Sequence, residues 1–362
     1  MILLRIINES IRYMKCLSFS FCLLLLNIIS AQNLNTSFSY FHQQYGLQNI
    51  KHRSVQPYLV ATHKKMHQKD TLNKKYKSLF SKKIWNESLL NINEGDVHLS
   101  ADPLFNFTIG SYNETYDYRY YSNVRGFRIT GDVGKRVSFE TRFYENQFFY
   151  PEYLKIRSFQ RGTPSIDFVD GIAFGLGRAK KFKDHGVDAG LANGYVSYSP
   201  FENVNFQLGH GRHFFGTGYR SLLLSDYAPD YPYLSGQYLF CDNKIMYKHV
   251  TAWMNTFNRL ESSSSVEALF IPKVSNFHFL SFDLNDQIEF SFFEGAIYNK
   301  YNDSLGVVNP NFSFHIPVIG AGLINLGNKR KPNLLYGMNW NYQPYDHWCI
   351  YNQLAIRSSS LM

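Results

Sequence analysis

Between Gly209 and Asp226 the chain gathers side chains able to bind a charged ligand. Gly209, Gly211, Gly216 and Gly218 are interleaved with His210, Arg212, His213, Tyr219 and Arg220, and Ser221, Leu224, Ser225 and Asp226 follow. Glycine inside a strand marks a bulge or a close approach of backbone. Arginine presents a planar fork that matches carboxylates, phosphates and the acidic groups of sugars. Arg212 and Arg220, with Tyr219 and Tyr227 as stacking faces, are therefore the candidate site for an anionic glycan. The alternative reading is a strand end whose glycines form a bulge and whose tyrosines belong to an interfacial girdle.

Other chemistry is harder to build. His210 and His213 are three residues apart, which on a strand points them to opposite faces. A zinc site also needs a third protein ligand, and none is recognisable, so no metal is expected. Glu140 and Glu145 are the nearest carboxylates in suitable company, but their spacing does not establish the facing pair that glycoside hydrolysis requires. Nucleophile-elbow, phosphate-loop and dinucleotide motifs are absent from the sequence. The expectation is a non-catalytic protein without a cofactor.

The elements that position these residues alternate with period two. In Arg136 to Tyr144, Val137, Phe139, Thr141 and Phe143 share one face, and Arg136, Ser138, Glu140 and Arg142 the other. With Phe127 to Thr130 and a turn over 131–134 this makes a hairpin. Further hairpins join 194–198 to 204–208, 280–284 to 288–292 and 336–342 to 348–356. Long loops are expected at 155–190, 215–235 and 299–312.

The start of the chain reads differently. Arg5, Arg12 and Lys15 precede an apolar run from Cys16 to Ile29 and a small-residue exit at Ser30 and Ala31. That is the pattern of a secretory signal peptide over 1–31, with translation starting at Met1 or Met14. Residues 32–100 form a basic, partly helical N-terminal extension with a helical candidate at 78–90, and 101–362 form the β-rich body. From Lys51 to Lys83 ten Lys/Arg face one acid, Asp70, so this tract accounts for a net charge of +9, equal to that of the whole chain. Such a tract attracts anionic polymer or lipid headgroups; nucleic acid is not an expected partner of an exported chain. Beyond the signal only Cys241 and Cys349 remain, too few for a disulfide scaffold.

An exported chain of antiparallel hairpins is either a soluble sandwich or a membrane barrel. The aromatic content of 17%, with 27 Tyr and 31 Phe, and the contrast of short turns with long loops favour the barrel. The fold class expected is all-β, an antiparallel transmembrane outer-membrane β-barrel with a short N-terminal extension. The alternatives are a secreted soluble β-sandwich acting as a glycan-binding protein or hydrolase, and a nutrient channel.

The segment Gly209 to Asp226, together with Lys82 to Leu90 and Asp102 to Phe107, resembles the Wzi-type capsule-assembly outer-membrane proteins, nearest to their RemB-like gliding-motility branch in Bacteroidetes. The resemblance runs over about residues 55 to 356 and rests chiefly on the central segment. It implies a barrel of about eighteen strands in outer-membrane lipid. It also implies a non-catalytic role in holding surface polysaccharide or in gliding, with gliding-machinery or export proteins as further partners. The body after Leu104 accommodates about twelve to fourteen strands, and the chain stops at Met362 without the usual terminal aromatic. A C-terminally truncated barrel is the resulting expectation.

Overall fold

The structure is a computed structural model that describes residues 51–59, 78–85, 87–111, 119–150, 170–173, 175–183, 186–259, 270–302, 305–325, 331–345 and 348–358. The segment 1–31 read as a signal peptide and most of the basic tract lie outside these residues. Strand β1 (Val55–Gln56) and helix α1 (Leu79–Trp85) precede the hairpin of β2 (Leu90–Glu94) and β3 (Val97–Ser111). Then come β4 (Arg119–Val133), β5 (Val137–Phe148), β6 (Asp170–Ala173), β7 (Gly177–Phe182), β8 (Gly186–Phe201), β9 (Val204–Gly211) and β10 (Phe214–Phe215). The second half contains β11 (Tyr231–Phe240), β12 (Ile245–Arg259), β13 (Phe270–Asp283), β14 (Ile288–Asn299), β15 (Tyr301–Asn302) and β16 (Gly306–Val307). A 3-10 turn (Phe312–His315), helix α2 (Ala321–Ile324), β17 (Asn333–Tyr345) and β18 (Trp348–Ser358) complete it.

One antiparallel sheet of 14 strands dominates, in the order β18-β17-β14-β13-β12-β11-β9-β8-β5-β4-β3-β2, with the β6–β7 hairpin attached through β8. The all-β expectation holds. The sheet is not closed: β18 lies at one edge and β2 at the other. All four hairpins read from the alternation form. The β4–β5 turn lies later than expected, because β4 continues to Val133 and pairs it with Val137. The sheet also begins inside the segment read as an extension, since Leu90 and Ile92 alternate with Asn91 and Asn93 and pair back onto β3. Helix α1 is correspondingly shorter than the 78–90 candidate.

The burial pattern inverts that of a water-soluble sheet. Ser138 and Glu140 are buried while Phe143, on the opposite face of the same strand, is exposed. The division persists across the sheet. Ser197, Asn205, Gln207, Ser235, Lys248, Ser291, Asn339 and Asn341 are buried on the polar face. Val196, Phe206, Leu208, Leu234, Trp253, Met338, Trp340 and Leu354 stand exposed on the apolar face. Part of the polar face is joined by its own hydrogen bonds: Asn205 donates from Nδ2 to Ser197 Oγ at 2.8 Å and Ser199 Oγ at 2.9 Å. Glu140 and Glu145 point to opposite faces, Glu145 pairing with Arg125 at 2.8 Å and Glu140 with Arg142. They do not form a facing acid pair.

Replacing Asn205 by Leu removes both donors from a buried site. It should lower stability by about 1–3 kcal/mol, read as a decrease in the urea midpoint of the refolded protein.

Candidate functional site

The segment Gly209 to Asp226 leaves β9, crosses the polar face and returns to β11. Its anchor is β10, which pairs with β1 so that Val55 lies opposite Phe215 and Gln56 opposite Phe214. Phe215 is fully buried, with its ring 5.1 Å from Phe279 and 6.2 Å from Phe293. Val55, Leu223, Met246 and Val250 join the same apolar cluster. An apolar knot thus sits within an otherwise polar interior and ties the loop to β12, β13 and β14.

Beyond Phe215 the loop closes on itself. Phe215 N donates to Leu224 O at 2.9 Å and Leu224 N to Phe215 O at 3.4 Å, while Leu223 N donates to Ser221 Oγ at 3.0 Å. Two glycines meet a steric need here. Gly216 has φ +122°, and a Cβ there would lie 2.1 Å from Gln353 Nε2. Gly218 has φ +111°, and its Cβ would fall 2.6 Å from the Tyr351 ring. Only glycine adopts this backbone freely. The close approach lets β17 and β18 hold the loop: Thr217 N donates to Asn339 Oδ1 at 3.1 Å, and Gln353 Nε2 donates to Thr217 O at 3.1 Å. Leu222 N donates in turn to Gln353 Oε1 at 2.9 Å.

The N-terminal stretch 51–59 is the second inserted piece. Gly216 N donates to Ser54 O at 2.8 Å. Ser54 Oγ hydrogen-bonds the buried Glu289 carboxylate, and Arg53 reaches Gln343 Oε1 and donates to Asp286 O at 2.7 Å. His52 N donates to Asp283 Oδ2 at 3.0 Å, and the ring lies 2.9 Å from Ser281 Oγ. Burial pushes the His52 imidazole down to about 4, and Lys51 lowers it further against a raising hydrogen bond to Asn243 O. The ring is therefore neutral near pH 7.

The two candidate arginines occupy different settings. Arg212 Nε pairs with Asp230 at 2.5 Å, and that carboxylate, with a side chain only 1% exposed, also accepts from Asn193 Nδ2 at 2.9 Å. Arg212 Nη1 donates to Asp226 O at 3.0 Å. Its charge is met within the fold, so Arg212 holds the loop's return to β11. Arg220 is exposed. Its guanidinium carbon lies 4.3 Å from the Tyr219 ring centre and 5.0 Å from that of Tyr227, and Nη1 is 3.5 Å from Asp226 Oδ1. The structure thus joins Tyr219, Arg220 and Tyr227 into one exposed cation–aromatic stack.

His210 and His213 do not converge. His210 Nδ1 lies 2.7 Å from Ala192 O, whereas His213 is buried with its ring 4.5 Å from that of Tyr233. Burial, with Lys248 alongside, holds His213 far below the usual imidazole range. No cluster of three metal-ligating side chains occurs among the described residues. Cys241 and Cys349 are both free and exposed. Sequence reasoning missed Asp230, Asn339, Gln353 and the stretch 51–56. Only Asp230 had a usable signal: Gly211 pairs with Tyr231, which brings the next residues out, Arg212 and Asp230, together.

Neither a scan of protein-family models nor a search of curated proteins returns a match for this chain.

Two outcomes follow from this geometry. Gly216→Ala should displace the loop from Gln353 and cost about 1–3 kcal/mol, read as a lowered denaturation midpoint and faster proteolysis between Thr217 and Leu224. A histidine that is neutral when folded and has an unfolded value of 6.5 stabilises the fold above that value, and the contribution is lost as pH falls. The His52 contribution to the seating of 51–59 should therefore be lost between about pH 6.5 and 4, read as the difference between the parent and His52→Gln in protease cleavage near Lys51.

Proposed function

We propose that this chain is an exported outer-membrane β-barrel protein that supports attachment of capsule or other exopolysaccharide at the cell surface, or gliding, by binding without catalysis. The observation that carries the reading is the reversed burial of the sheet. Polar side chains are buried against one another and against two inserted segments, and Phe, Leu, Trp and Met side chains project outward along the long strands. A soluble sandwich places its apolar face inside and its polar face in water. A lipid-facing barrel wall requires the opposite, which is why the secreted sandwich ranks below it.

Within this reading the interior is filled. The loop and stretch 51–59 occupy the polar face, so the barrel serves as a scaffold in preference to an open nutrient channel. Tyr219, Arg220 and Tyr227 form the binding surface, with the guanidinium meeting a carboxylate or phosphate of the glycan and the rings meeting sugar faces. Arg212 acts indirectly by fixing the loop.

Membrane fractionation with and without boiling tests localisation: a heat-modifiable band in the outer-membrane fraction is expected, and a soluble product would sink the proposal. Arg220→Ala should weaken binding of an acidic polysaccharide about tenfold, the loss of one charged hydrogen bond, with the folded band retained. Equal affinity of this variant and the parent would remove the stack from the account.

A further inference from the structure

Two side chains buried on the polar face point at something other than their neighbours. Lys248 and His213 are each 1% exposed, and neither Lys248 Nζ nor His213 Nε2 meets a hydrogen-bond partner among the described residues. Lys248 lies on β12 between Gln237 of β11 and Phe279 of β13. The Phe279 ring is 5.1 Å from that of Phe215, which in turn is 6.1 Å from the His213 ring. The lysine thus comes from the sheet and the histidine from the inserted loop, and they meet beneath the loop's apolar anchor. They are close enough for the lysine cation to disfavour a second positive charge on the ring.

The hydrogen bonds around His213 fix where its proton sits. Its backbone N donates to Tyr231 OH at 3.2 Å, and Nδ1 lies 3.3 Å from the same oxygen. With its oxygen accepting from that N–H, the phenol turns its own proton to Nδ1, and the neutral ring keeps its proton on Nε2. Two donors, the Lys248 ammonium and the His213 Nε2–H, are therefore buried together without an acceptor. An unpaired buried cation is strongly destabilising. The carboxylates of this face are engaged elsewhere: Glu140 by Arg142, Asp230 by Arg212 and Asn193, and Glu289 by Ser54 and Ser281.

We propose that Lys248 Nζ and His213 Nε2 bind a small monovalent inorganic anion of the halide type, chloride under ordinary conditions, within the polar face. A halide accepts from both donors and supplies the counter-charge of the lysine. Water would accept both bonds, but it would leave that charge unmatched and bring two protons that need acceptors of their own. A carboxylate or phosphate would bring further oxygens for which this pair offers no donor. The site is separate from the Tyr219, Arg220 and Tyr227 stack, and it holds whatever medium meets the apolar face.

Reversible denaturation of the refolded full chain, with gluconate exchanged for chloride at constant ionic strength, tests it. An ion that binds only the folded state at one site lowers the unfolding constant by up to about tenfold for each tenfold rise in its concentration. The parent should show a fall approaching that limit, and bromide should act likewise. Lys248→Met keeps a similar volume and needs no partner, so it should fold and lose the halide effect. Lys244→Gln, at an exposed lysine in the turn before β12, should keep it. Crystals of the parent grown in bromide should give an anomalous peak within hydrogen-bonding reach of both nitrogens. An unfolding constant equal in chloride and gluconate, a halide effect that survives Lys248→Met, or bromide crystals without that peak overturns the site.

Discussion

The two faces of this sheet cannot share one solvent, and most of the structure follows from that constraint. Buried Ser, Asn, Gln, Glu and Lys side chains need partners, because each unsatisfied polar group costs about 1–3 kcal/mol. Exposed Phe, Leu and Trp side chains along ten-residue and longer strands need an apolar surrounding. The proposed outer-membrane setting would satisfy the second need. The inserted segments serve the first, Thr217 and Leu222 bonding to Asn339 and Gln353 and Ser54 to Glu289.

The central loop is thus structural before it is functional. Its glycines allow contact with β18, its Phe215 and Leu223 enter an apolar knot, and its Arg212 is neutralised by Asp230. What remains facing outward is small: Tyr219, Arg220 and Tyr227, with Asp226 close by. Rigid support beneath and a stacked cation above is an arrangement suited to binding extended, weakly hydrophobic and charged polymers. Preorganisation of the arginine by two rings would also reduce the side-chain entropy lost on binding the proposed glycan.

The hairpins were legible because a period of two repeats over many residues in β5, β8, β13 and β17. The face that meets solvent was less legible, since alternation distinguishes two sides without saying which is wet. The site was half legible. Arginine and tyrosine types marked the loop, but the division of labour between Arg212 and Arg220 depends on Asp230, which strand register brings into place. The role of residues 51–56 left no local trace: within six residues of mixed type, Val55 and Gln56 pair with a loop some 160 positions away. The start of the sheet at Leu90 was hidden by the asparagines that alternate with its apolar residues.

The central claim is the lipid exposure of the apolar face. It is tested most directly by spin labels placed singly at Val196, Phe206, Leu208 and Leu234, and at Gln207 for comparison, in a chain whose Cys241 and Cys349 are replaced by Ser, refolded into vesicles. The account predicts that the four apolar-face labels collide with dissolved oxygen and are shielded from a water-soluble nickel chelate, while the label at Gln207 is shielded from both or restricted in motion. Free access of the nickel chelate to all four apolar-face positions would contradict it.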